Sequence, residues 1–110
     1  MKKQRASLPA TERAAAALGA QIVAARRELG WTQSQLAGRL GVTRHLVAKV
    51  EGGSTSATIG VALEAAIVCG VRLFGADRDD LPLVAEREQA RAALLPASVR
   101  HRTPVIPNDF

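Results

Sequence analysis

The sequence predicts an all-α chain: a bundle of four to five short helices with a short C-terminal extension. Three observations carry that prediction. Apolar residues recur three and four apart in several separate stretches, the spacing that gathers them on one side of a helix. Gly30, Gly41 and Gly70 punctuate those stretches. Only Trp31, Phe74 and Phe110 are aromatic, so the core the helices share must be aliphatic.

The first helix starts near Pro9 to Thr11 and runs to about Leu29, with Leu18, Ile22, Ala25 and Leu29 four and three apart. Gly30 stops it, and Trp31 follows as a packing plug. The next two helices share the stretch from Thr32 to Gly53, TQSQLAGRLGVTRHLVAKVEGG. In its first half Leu36, Ala37 and Leu40 occupy one arc, with Gln35 and Arg39 opposite. Gly41 permits the positive φ of a sharp reversal, and Ala37 is small enough for a second helix to cross over it. Thr32 and Thr43 are the N-caps. In the second half Leu46, Val47 and Val50 fill the inner arc, and Leu46 is assigned to the core. Arg44, His45, Ala48 and Lys49 lie outside.

The loop GGSTS follows, where backbone amides and hydroxyls, Ser54 among them, suit a phosphate; an ordinary connector is the alternative. Ile59, Ala62, Leu63, Ala66 and Ile67 make a fourth helix, closed by Gly70, that covers the inner face of the pair. VRLFG is short and β-prone. In ADRDD, acids precede Leu81 and Pro82, which complements the positive end of a following helix and makes Asp80 a candidate cap. A calcium loop is excluded because its sixth position, counted from Asp77, is Pro82 rather than glycine. Leu83, Val84, Ala90, Leu94 and Leu95 give a last helix to about Leu95, with Glu86, Arg87, Glu88 and Arg91 on a solvated face.

The second helix of the pair presents two cations, an imidazole and a methyl group, a surface suited to a major groove. Charge agrees. Residues 1–50 hold nine basic residues (2, 3, 5, 13, 26, 27, 39, 44 and 49) against two acids, Glu12 and Glu28, whereas residues 51–110 hold six against eight. The net +5 is thus concentrated around the motif, which favours a polyanion as partner.

From about Leu18 to Phe74, through ARRELGWTQSQLA, GVTRHLVAKVEGG and the apolar helix after them, the chain resembles the lambda-repressor-like, Cro/C1-type (XRE-type) helix-turn-helix family. The resemblance implies roles. The glutamine that opens the first motif helix, here Gln33, binds phosphate; Arg44 and His45 reach base edges; Lys49, one turn on, reaches a base or a phosphate. Arg26 and Glu51 occupy the positions of a structural ion pair. Leu46 departs from the family, which commonly has a small polar residue there. Thr32, Gln33, Thr43, Arg44, His45, Lys49 and Ser54 form the expected DNA-binding set.

The organisation that follows is a basic N-terminal arm over 1–10, a DNA-binding domain over 11–74, a helix over 75–95 offering a dimer or partner surface, and a flexible tail over 96–110. Pro96, Pro104 and Pro107 forbid a persistent helix in that tail. Its Arg100, His101 and Arg102 patch and terminal Asn108, Asp109 and Phe110 look like a short docking element. With the TIGVALEAA helix, this layout is similar to HipB-type antitoxins, a resemblance that implies a HipA-type kinase toxin as partner.

Other classes lose ground. MKKQR is followed by ASLPATERA rather than an apolar segment, and apolar runs are short, so neither secretion nor membrane spanning is expected and a cytoplasmic setting is. The lone Cys69 makes no internal disulfide, and no Cys/His cluster offers metal ligands. No nucleophile and base are visibly paired, and no glycine loop cradles phosphate, so neither catalysis nor a cofactor is expected. The expected function is a sequence-specific repressor, binding a palindromic operator as a dimer and, as an antitoxin, autoregulating its operon. The alternatives are a regulator without a toxin and a module that uses the same fold to hold a protein.

Overall fold

The computed structural model describes residues 6–98. Among them run α1 (Pro9–Glu28), α2 (Gln33–Leu40), α3 (Arg44–Glu51), α4 (Ile59–Cys69), a 3₁₀ turn (Arg78–Asp80) and α5 (Leu81–Ala93). The expected docking residues Asn108, Asp109 and Phe110, the 100–102 basic patch and most of the tail lie outside these residues, as does the first half of the basic arm. None of the described helices is long and apolar enough to cross a membrane.

Local chemistry explains where the helices begin and end. Pro9 opens α1, where its missing N–H costs nothing, and Glu12 near the start with Arg26 and Arg27 near the end complement the helix dipole. Thr32 and Gln35 form a reciprocal capping box: Thr32 Oγ1 accepts from the Gln35 amide at 3.0 Å while Gln35 Oε1 accepts from the Thr32 amide at 2.8 Å. Thr43 Oγ1 accepts from the Leu46 amide at 3.2 Å. α2 ends on Gly41 at φ 70°, with Gly41 N–H donating to the Gly38 carbonyl and Val42 N–H to the Ala37 carbonyl. This paired closure leaves only three residues between α2 and α3. Thr32→Ala should cost about 0.5–2 kcal/mol, the usual loss for an N-cap, measurable as a lower urea midpoint with an unchanged slope.

Ile22, Leu36, Ala37, Val47, Val50, Ala65, Ala66 and Cys69 are buried where α1 to α4 meet. Trp31, Leu40 and Val42 pack around them, half-buried. Burial pushes the Cys69 thiol up, the nearby Glu51 charge adds to this and Arg26 opposes it, so the side chain stays a protonated packing group.

Several expectations need correcting. Leu46 is half-buried and stands apart from the core cluster. Leu29 is the C-cap of α1, one residue before the chain reverses at Gly30 with φ 76°, and it is 47% exposed. α4 covers the inner face of the motif through Ala66, with Ala62 packed against the core, as expected, but also through Ala65 and Cys69; Ile59 is exposed, and Leu63 and Ile67 are half-buried on another side. Every position on that helix is apolar or small except Glu64, so the small residues take the tight crossing with α1 and leave the large ones outward. VRLFG makes no strand; one bridge pairs Leu73 with Ala76, and Phe74 turns the chain at φ 55°. Asp80 stands before α5 without a side-chain cap bond, because the 3₁₀ turn supplies the entry instead. α5 itself ends at Ala93, and none of its residues is buried.

Candidate nucleic-acid interface

α3 separates a buried side from an exposed one. Val47 and Val50 point into the core, while Arg44, His45 and Ala48 are exposed and Lys49 is half-buried. Among the described residues neither Arg44 nor Lys49 pairs with an acid. Both cations therefore keep their hydrogen-bond donors for another molecule.

The far end of α3 is anchored by a buried charge network. Arg26 Nε donates to Glu51 Oε2 at 2.6 Å and Arg26 Nη2 to Glu51 Oε1 at 3.1 Å, a two-pronged pair that joins α1 to α3. Arg26 Nη1 also donates to the Trp31 carbonyl at 2.8 Å, which fixes the entry to α2. Burial pushes the Glu51 carboxyl up, yet the hydrogen bonds from Arg26 and Gln33 and the Arg26 charge outweigh it and hold the group below its ordinary range. The expected ion pair is thus present, and it orients the helix that carries Arg44 and Lys49.

Gln33 is more committed than expected. Its Nε2 donates to Glu51 Oε1 at 2.9 Å, tying the start of α2 to the end of α3. One side-chain N–H, the carbonyl oxygen and the backbone amide at the helix start remain for an outside partner. Thr32 and Thr43 use hydroxyl oxygens as cap acceptors, which leaves each O–H free to donate outward. Ser54 is half-buried and turned inward on its own loop: its Oγ lies 2.8 Å from Ser56 Oγ and accepts from the Ser56 amide at 3.2 Å. The structure thus gathers Thr32, Gln33, Thr43, Arg44, His45 and Lys49 on α2, α3 and their caps, with Ser54 on the adjoining loop.

Two supporting features escape a reading of the motif alone. Arg39 stacks over the Trp31 ring, 4.0 Å from its centroid, so Trp31 supports an exposed cation on α2 as well as plugging the core. Trp31 lies before the α2 N-cap, so helical periodicity gives no signal of this contact. Gly19 is buried in mid-α1 against the α3 carbonyls of Val50 and Glu51. A glycine inside an alanine-rich helix is the mark of such a close approach.

A family model described as a helix-turn-helix domain matches residues 17–82, from late in the first half of α1 through the 3₁₀ turn. No curated protein and no solved structure matches the chain.

Proposed function

The chain belongs to the helix-turn-helix domain family of the Cro/C1 type, and from that premise we propose that it is a sequence-specific transcriptional repressor that binds a palindromic operator as a dimer. The observation that carries this reading is the exposed face of α3, where Arg44, His45 and Lys49 project without acidic partners among the described residues, on a helix tied down by the Arg26–Glu51 network. Arg44 and His45, in the first turn, read base edges; Lys49 holds a base or phosphate; the amide ends and cap hydroxyls of α2 and α3 position the backbone. The terminal Asn108, Asp109 and Phe110, on which docking to a HipA-type kinase would rest, lie outside the described residues.

Selection of binding sites from random DNA at physiological salt tests the reading. A repressor enriches a symmetric motif whose halves lie about one helical turn apart; a module that only holds proteins enriches none. On the selected site, Arg44→Ala should weaken binding by about 1–3 kcal/mol and relax preference at one base pair. An equal loss on unrelated DNA would make Arg44 a phosphate contact.

A further inference from the structure

We infer that Arg39 contacts a DNA phosphate and is held ready for it by Trp31, an assignment that rests on the DNA-binding reading above. Neither the caps nor the reading face of α3 includes this residue. It is exposed in the last turn of α2, and among the described residues it pairs with no acid. Its guanidinium is nevertheless fixed, with Cζ 4.0 Å from the centroid of the Trp31 ring.

That stack decides where the charge sits. Trp31 precedes the N-cap Thr32, whereas Arg39 belongs to the other end of α2. A guanidinium lying over Trp31 has therefore been drawn back along the helix, the direction in which long helical side chains lean. Gln35 shows what this face of α2 overlooks. It stands one turn before Arg39 on the same face, and its Oε1 accepts from the Thr32 amide at 2.8 Å. The cation thus joins the end of α2 that carries the Thr32 hydroxyl, the Gln33 amide group and the leading backbone amides. The acid bonded to that end, Glu51, is already matched by Arg26.

The kind of contact that holds Arg39 leaves it able to bind. A carboxylate partner would occupy its N–H donors, but an aromatic ring takes only the face of the guanidinium. The donors lie in the plane and stay open at its edge. The ring also restrains a long side chain in advance, so less freedom is lost when a ligand arrives. A phosphodiester, with its negative charge shared over two oxygens, matches such an edge. If the stack served only to cover the indole, removing the charge would leave the response to salt as it is.

Titrating the full chain with the selected DNA and with unrelated DNA, each over a series of salt concentrations, separates the two. Arg39→Gln should bind both DNAs about 5-fold more weakly at physiological salt, and the slope of log affinity against log salt should become shallower by about 0.9, the share of one phosphate. Arg39→Lys keeps a charge and should restore the slope, though not the full affinity, because the planar fork is gone. Trp31→Leu keeps Arg39 and releases it, so at a temperature where circular dichroism shows this variant folded the slope should stand while affinity falls. An unchanged slope in Arg39→Gln overturns the phosphate contact, as does a loss confined to the selected site, which would make Arg39 a base reader. Full affinity in Trp31→Leu overturns the role given to the ring. A full chain that binds DNA without enriching any motif overturns the sequence-specific repressor and leaves the slope to decide Arg39; one that binds no DNA overturns both.

Discussion

Glu51→Ala should destabilise the domain by about 3–5 kcal/mol, the usual consequence of removing one partner from a buried ion pair. The Arg26 residue is only 7% exposed and the Glu51 side chain 4%, so water cannot take over the lost contacts. Two of the three guanidinium hydrogen bonds vanish and only that to the Trp31 carbonyl stays. Gln33 Nε2 loses its acceptor in the same step. Against the total of about 5–15 kcal/mol typical of a folded domain, this is more than half the stability of a domain at the lower end of that range. Urea unfolding followed by Trp31 fluorescence measures it. Replacing both partners by aliphatic residues, Arg26→Met with Glu51→Leu, should cost much less than Glu51→Ala, because no charge is then stranded. An equal or larger loss in the double variant would show that the network adds net stability.

The same network predicts how stability depends on pH. The folded Glu51 carboxyl titrates below its ordinary value of 4.5, so the unfolded chain binds the extra proton first as pH falls. Its contribution is therefore complete above the ordinary carboxylate range and is lost as pH drops through the lowered folded value. Glu51→Gln should lower stability at neutral pH and flatten that acid limb, a pair of effects that a simple packing defect would not produce.

The parts of the fold that could be read in sequence are those decided within one or two helical turns. Thr32 and Gln35 are three residues apart, and Gly41 needs nothing distant to adopt its φ, so caps and turn follow from local chemistry. The Arg26–Glu51 pair spans 25 residues and became visible only through the family resemblance. The phase of α4 is illegible for a physical reason: a helix apolar nearly all round has no pattern to say which side is inner, so spacing alone puts Ile59 inward and does not single out Ala65 and Cys69. Gln33 followed the same logic at the site. Its position at the start of α2 was evident, but whether its amide turns outward or toward Glu51 depends on a carboxylate 18 residues away. Leu46 and Phe74 likewise depend on what packs beside them, which spacing does not encode.

Gly19→Ala should destabilise the chain even though alanine is the better helix former by about 1 kcal/mol. A Cβ at Gly19 would lie 2.5 Å from the Glu51 carbonyl oxygen, 2.7 Å from that of Val50 and 2.9 Å from the Glu51 carbonyl carbon. All three are backbone atoms, so no rotamer change relieves the clash and α1 must move away from α3. Overpacking of this kind costs about 1–3 kcal/mol and occasionally more. Gly38→Ala on α2 is the matched comparison, because its Cβ meets nothing within 4 Å. There the propensity gain stands alone, and stability should rise by about 0.5–1 kcal/mol. Opposite signs for one chemical change in two helices, read as urea midpoints, would locate the effect in the α1–α3 contact. The site adds a second consequence. The clash falls on the last turn of α3, beside the carboxylate that Arg26 holds, so relieving it tilts the helix that carries Arg44 and Lys49. At a temperature where both variants remain folded, Gly19→Ala should therefore lose affinity for the selected DNA site while Gly38→Ala keeps it. Equal affinity in the two variants would mean that the reading face tolerates movement at its anchored end.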